Sequence, residues 1–201
     1  LILAFSIPLG IFTARHAGGR LDRAMTAVNQ VLMAIPAFVT GILLTYVFGL
    51  VLRWFVPGNY VSPGDNFGGS LWYFLFPAVS IALPRVAMTV KMLRSSILSE
   101  LQKDYVRTSH SRGNSDRATL YRHVLRNAMG PVVSFLAMTV ADIVAGSVVI
   151  EQVFSLPGLG RMLLTSIANR DYPVVQAVVV IVAFWVVLVN LLADLINQRL
   201  D

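Results

Sequence analysis

The sequence has no cysteine, which excludes a disulfide framework, a thiolate zinc site and a thiol nucleophile together and leaves the redox compartment open. Charge is scarce as well: 13% of the 201 residues are Asp, Glu, Lys or Arg, against about 25% in soluble domains. With 56% hydrophobic residues, a water-soluble globule is excluded. No residue from 31 to 52 or from 174 to 193 carries a charge, and Asp142 is the only charge from 132 to 150. No histidine falls in these blocks. His16, His110 and His123 lie in polar stretches without a second ligand at helical spacing, which argues against a metal site. An intramembrane protease, which needs a nucleophile beside a base, is disfavoured on the same ground. The phosphate-binding pattern GxxxxGK[ST] is missing, so the chain itself supplies no nucleotide site of that kind. Repeats of 20 to 50 residues and low-complexity tracts are missing too.

What is present is apolar residues in blocks of bilayer-spanning length. Five spans are expected, at residues 1–14, 31–52, 71–90, 132–153 and 173–196, giving an all-α polytopic membrane protein. The first block has neither a basic n-region nor a small-residue cleavage site, so it does not read as a signal peptide. Its fourteen residues rise about 21 Å, short of a hydrocarbon core of about 30 Å. With no initiator Met, it reads as a truncated span opening a fragment that lacks its N-terminal part.

The net charge is +6, and its distribution sets the orientation. Arg15, Arg20, Arg23, eight Lys or Arg residues from 91 to 131, and Arg199 total twelve on one side, against Arg53, Arg161 and Arg170 on the other. Arg85 stays within a span. The positive-inside rule makes the richer side, and the C-terminus, cytoplasmic. The same rule accounts for the basic balance without nucleic acid. The external loop 53–70, dense in Pro, Gly and Asn, reads as a connector of exposed turns. In the external loop 154–172, a Pro157-Gly158 turn precedes a short apolar period at Leu159, Met162, Leu163 and Ile167. That pattern predicts a short helix at the outer face, its apolar side against the membrane domain and Arg161 and Arg170 toward water or headgroups.

The cytoplasmic loop 91–131 is far longer than a tight connection, and it is patterned. Ile97, Leu98, Leu101, Tyr105 and Val106 repeat at helical spacing, and Gly113 interrupts the run. Asn114, Ser115 and Asp116 are N-cap candidates. A second helix then places Leu120, Tyr121, Val124, Leu125 and Ala128 on one side, with Arg122 and Arg126 one turn apart on another. Pro131 suits the first turn of the next span. The expected unit is two helices joined at an angle by Gly113 with positive φ. Periodicity alone leaves open whether this unit only sets topology or docks a cytoplasmic partner.

The stretch DYVRTSHSRGNSDRATLYRHVLRNAMGPVV, from Asp104 to Val133, resembles the signature loop of permease subunits in binding-protein-dependent ABC importers. That loop opens on a Glu-Ala-Ala type triplet, has a glycine six residues after its first position, and ends at a proline. Arg107, Thr108, Ser109, Gly113 and Pro131 hold those positions, and His123 matches the loop's histidine. The likeness extends through IPLGIFTARHAGGRLDR, LRSSILSEL, FSLPGLGRMLL and NRDYPVVQAVVV, and so over nearly the whole chain. It is to the first permease type of the dipeptide, oligopeptide and nickel branch, where Arg-Thr-Ala commonly replaces Glu-Ala-Ala. The resemblance implies a single transmembrane domain of the type I importer fold over residues 1–201 and a transport subunit rather than an enzyme. It implies docking of an ATPase through Arg107, Thr108, Ser109, Gly113, His123, Arg126, Asn127 and Pro131. It implies as partners a second homologous permease, two ATPase subunits that hold ATP and Mg, and an external solute-binding protein, in a bacterial or archaeal inner membrane. The substrate it points to is a di- or oligopeptide, with nickel complexes and glutathione carried by similar subunits.

Ser134, Met138 and Asp142 share one face of a span and are candidates for the translocation pathway, because an intramembrane carboxylate is costly and commonly functional. A structural hydrogen bond is the alternative for Asp142. Ala137, Ala141 and Ala145 form an adjacent small-residue stripe suited to close approach of a partner helix. Glu151 and Asp194 lie near span ends and are expected to be solvated at the interface. Arg85, beside Pro84, either reaches the interface or pairs with an acid in another span. Asp142 also keeps an ion-coupled secondary transporter in view.

Overall fold

The structure, a computed structural model, describes residues 1–200, and side chains apart from those of residues 144–146 and 200. The described residues are helices and turns: α1 (Ile2–Arg15), α2 (Arg20–Ala34), α3 (Ala37–Leu44), α4 (Phe67–Leu101), α5 (Asp104–Ser111), α6 (Asp116–Thr119), α7 (Leu125–Val153), α8 (Leu159–Ala168) and α9 (Tyr172–Leu200). Wider π-type turns extend α3 over Thr45–Val51 and join α6 to α7 over Leu120–Val124. All-helical architecture is what long apolar blocks demand, since a backbone in lipid must satisfy its own polar groups.

Among the described residues three helices are long and apolar enough to cross a membrane: Phe67–Leu101, Asp116–Ile143 and Tyr172–Arg199. They contain or overlap the expected spans 71–90, 132–153 and 173–196. The expected span 31–52 is corrected. It begins inside α2 and continues in α3 after a bend of 92°, so it is a broken span or a re-entrant pair. Pro36 explains the break, because it disfavours helical backbone at Ile35 and offers no N–H to the preceding turn. Its carbonyl opens α3, accepting from Val39 at 3.0 Å and Thr40 at 3.2 Å. The described residues thus give three long apolar helices, or four spans if the bent pair is one, with α1 as a short apolar helix where the truncated span was expected.

The loop 91–131 is also redrawn. Ile97, Leu98 and Leu101 belong to the end of α4, so the first expected loop helix is divided at Gln102 and Lys103. Pro131 lies inside α7 and does not start a span. The helix passes through it, giving up the one backbone bond that a proline cannot donate.

The chain divides into two compact units. The first comprises residues 33–84 and 140–187, with Leu1. Its core is largely aromatic, with Phe55, Tyr73, Phe76, Ile150, Phe154 and Leu156 buried together. Phe55 stacks on Phe76 with centroids 4.2 Å apart and meets Tyr73 edge-on at 5.6 Å. The buried Tyr73 hydroxyl donates to the Phe154 carbonyl at 2.6 Å and accepts the Gly58 N–H at 3.2 Å. It thereby ties the 53–66 connector and the end of α7 to α4.

The second unit comprises residues 2–32, 85–139 and those from 188 on. Ile11, Ala14, Leu93, Ile97, Val106, Leu120, Val124, Ala128 and Val132 form its core. Gly10 lets α1 approach α4, since a Cβ there would lie 2.7 Å from Leu93 Cδ2.

Tyr73→Phe keeps the ring and removes both hydroxyl bonds. We expect a loss of about 1 to 3 kcal/mol, read as a lower denaturation midpoint of the detergent-solubilised protein. An unchanged midpoint would show that apolar packing alone holds the connector.

Candidate functional site

The segment that follows α4 folds into an angled pair of helices, and each turn of it has an identifiable cause. The Glu100 carboxylate accepts from Lys103 Nζ at 2.6 Å and from the Tyr105 hydroxyl at 2.8 Å, and the Asn127 side chain bonds within the same group. Burial, then the bond to Glu100, raises the Tyr105 hydroxyl above the usual phenol range, so it stays protonated and donates. Lys103 is extended, which ends α4 and lets α5 start with Asp104 in its first turn, where a negative charge suits the helix dipole.

The end of α5 carries the predicted glycine joint. Gly113 has φ +80°. Its N–H donates to the His110 carbonyl at 2.9 Å, and the next N–H, of Asn114, reaches the Ser109 carbonyl at 3.3 Å. This is the Schellman pattern, whose pivot needs a left-handed residue. Of the three N-cap candidates, Ser115 holds the position: it is extended and its Oγ accepts the Ala118 N–H at 3.3 Å. A buried bond of 2.9 Å between the hydroxyls of Ser109 and Thr119 closes the angle, and Asn114 Nδ2 donates to the same Ser109 Oγ at 3.1 Å.

Packing sorts the eight docking candidates into two groups. Ser109 is buried and acts as the bracket between α5 and α6. Arg107, Thr108, Gly113, His123, Arg126, Asn127 and Pro131 are exposed, Asn127 beside Glu100 and Tyr105. Thr108, Ser109 and His123 meet in a shallow cavity of about 300 Å³, together with Tyr105, Arg112 and Asn114. Arg126 also reaches the Arg199 carbonyl at 3.4 Å. Of the second apolar stripe, Leu120, Val124 and Ala128 are buried, whereas Tyr121 is exposed with the Arg117 guanidinium 6.0 Å above its ring.

On α7, Ser134, Met138 and Asp142 are all exposed, Met138 by 65%. Ser134 Oγ accepts from Asn197 Nδ2 at 2.8 Å. Of the small-residue stripe, Ala137 is buried within this chain and Ala141 is half-buried. The Ala145 side chain lies outside the described residues. Arg85 is half-buried and Asp194 exposed. Among the described residues no three metal-ligating side chains converge.

The α8 expectation needs correction. The helix forms after the Pro157-Gly158 turn, but of the four apolar residues only Leu163 is half-buried, while Leu159, Met162 and Ile167 are exposed and the buried positions are Gly160 and Ser166. A Cβ at Gly160 would lie 2.7 Å from the Val148 Cα, so the inner side must be small for α8 to sit on α7, and the bulky residues are left outside. Glu151, expected in solvent, is half-buried and bonded to the Arg161 N–H.

Besides the Glu100–Lys103 pair, a second ion pair has no counterpart among the expectations from sequence. Asp22, 4% exposed, receives Arg94 Nε at 2.8 Å and Nη2 at 2.7 Å, and the Gly18 N–H at 2.9 Å. Gly18 has φ +81°. The fork fixes the α1–α2 turn to α4 a few residues before Glu100. Its signal is Asp22 standing as the sole acid from 15 to 30, in a segment counted only for its arginines.

The chain is thus a multi-pass helical membrane protein whose best-organised polar region is an angled helix pair after its longest helix. It belongs to the family described as the binding-protein-dependent transport system inner membrane component, which residues 6–201 match. It is 33% identical over 201 residues to the probable peptide ABC transporter permease protein y4tP of Sinorhizobium fredii, and 34% identical over 203 residues to the oligopeptide transport system permease protein AppB of Bacillus subtilis. In both, the match covers 100% of this chain and 64% of the relative. The nickel import system permease protein NikB of Staphylococcus aureus is 31% identical over 201 residues, which is 100% of this chain and 58% of that protein. The chain therefore spans less than two thirds of the length of these curated relatives.

Asp22→Asn keeps the shape and discards the charge. We expect it to destabilise the protein by about 1.5 to 3 kcal/mol, the range for hydrogen bonds to charged groups. Arg94→Lys, which cannot make the two-pronged contact, should lose a similar amount. A double-mutant cycle that returned additive losses would show that the two side chains are not coupled.

Proposed function

We propose that this chain is the transmembrane permease subunit of an ATP-driven importer of di- or oligopeptides. It forms half of the pathway, pairs with a second homologous permease, and receives substrate from an external solute-binding protein. ATP and Mg are held by two ATPase subunits, which dock on the 104–131 segment at the cytoplasmic side, where the C-terminus also lies. Closure of the ATPase subunits presses on the α5–α6 angle and reorients the spans.

The observation that carries this reading is the construction of that angle. Gly113 and the Ser109–Thr119 bond hold it from within, while Arg107, Thr108, His123 and Arg126 are left on the outside. A loop that only sets topology needs basic charge; it does not need a buried bracket. A stiff, internally satisfied elbow with an exposed polar face is suited to transmitting force. Ser134, Met138 and Asp142 are assigned to the pathway on α7, because a carboxylate on an exposed face of a spanning helix belongs against water or protein. Peptide is preferred as substrate on the names of two relatives. Nickel is the second reading, favoured by the third.

In complexes reconstituted with the partner subunits, Gly113→Pro or Arg126→Glu should leave membrane insertion intact and cut uptake at least tenfold, with ATP hydrolysis continuing. Unchanged uptake in both variants would remove the docking assignment. Mass spectrometry of the ligand that copurifies with the cognate binding protein decides the substrate: a peptide supports the first reading, a nickel complex the second.

A further inference from the structure

Helix α8 starts without a capping side chain of its own. Its N-cap is Gly158, in ordinary extended backbone at φ −111° and ψ 174°. The missing acceptor comes from the preceding helix. Glu151 Oε2 accepts the N–H of Arg161, the third residue of α8, at 2.8 Å, and Ser147 Oγ donates to Glu151 Oε1 at 3.4 Å. The Glu151 carbonyl accepts the Leu156 N–H at 2.8 Å. One residue therefore closes the end of α7 with its backbone and opens α8 with its side chain. A carboxylate is well matched to the positive end of a helix dipole. The two glycines of PGLG follow from the same seat: a Cβ at Gly158 would run into the Glu151 carboxyl, and one at Gly160 into the Val148 backbone.

We propose that Glu151 is a positioning residue, a latch that fixes α8 on the end of α7 so that the outer face of α8 is held in place for the external binding protein. This rests on the importer reading. Beside the helix so held lies a cavity of about 610 Å³ lined by Leu159, Arg161, Met162, Thr165 and the largely buried Ser166, with the Pro157-Gly158 turn. A ten-residue helix is too short to be stable alone, so without the latch its orientation depends on the packing of its inner side, Gly160, Leu163 and Ser166.

The chain has no cysteine, which makes a single introduced thiol readable by the mass of this chain. Ser166 is 8% exposed, so Ser166→Cys in the assembled complex should react slowly with a membrane-impermeant maleimide. Adding Glu151→Ala should speed labelling at least tenfold, whereas Glu151→Gln, which keeps an acceptor oxygen, should leave it slow. Gly158→Ser alone should also speed labelling, because its side chain meets the Glu151 carboxyl. Combined with Glu151→Ala, the same serine finds the vacated space, caps α8 locally and slows labelling again. Binding-protein-dependent uptake should follow the same order: reduced at least fivefold in the two single variants, kept in Glu151→Gln, and largely regained in the double variant.

Labelling unaffected by Glu151→Ala overturns the latch, as does a Gly158→Ser defect that is equally severe with and without Glu151. Labelling in the expected order with undiminished uptake overturns the positioning role. Labelling in that order in a parent complex that shows no binding-protein-dependent uptake supports the latch and removes the importer reading on which its purpose rests.

Discussion

Every place where a helix stops releases backbone N–H and C=O groups, and in or near lipid there is little water to take them up. This structure depends on the answers found at each break. Tyr73 takes the Phe154 carbonyl at the end of α7, Glu151 takes the Arg161 N–H at the start of α8, and the Schellman turn at Gly113 returns two N–H groups to α5. Each answer comes from a side chain or a glycine fixed by tertiary contacts, so a helix end also joins elements. An unsatisfied buried group costs about 1 to 3 kcal/mol, enough to explain why these positions hold particular residue types while the lipid-facing surface is freely apolar.

The parts of the fold legible in the sequence are those set by long-range composition. Long apolar blocks located α4, α7 and α9, and Gly113 announced the turn because little else tolerates φ +80°. What failed were boundaries decided by single residues acting against the local pattern. Pro36 divided an apolar block that composition treated as one span, whereas Pro131, taken as a start signal, was carried through inside a longer helix. A proline reports only a missing N–H and a fixed φ. Whether the helix ends there depends on the packing around it.

The α8 stripe failed for a related reason. Apolar period was taken to mark the packed face, but near a membrane both faces have apolar surroundings, so hydrophobicity no longer separates inside from outside. Size does at the closest point: Gly160 faces inward because the α7 backbone at Val148 is too close for a side chain. In the same way the small Ala137 is buried within the chain. The acids were the other blind spot. Asp22 and Glu100 lie in segments read for their positive charge, yet these two carboxylates fasten the turns at either end of that basic region.

The same argument decides which exposed surface is informative. Only 6% of the most apolar stretch of α9 is buried, but an apolar face is at rest in hydrocarbon, so its exposure names no partner. The polar residues of α7 and α9 carry more weight. A carboxylate at the centre of a bilayer costs about 2.5 to 3.5 kcal/mol on insertion scales, far more than an exposed valine or leucine. Ser134 is already engaged by Asn197, which makes α9 a support for that part of α7. Polarity, size and backbone closure, taken in that order, therefore locate the working surfaces of a membrane helix better than hydrophobic period, the measure that serves for soluble ones.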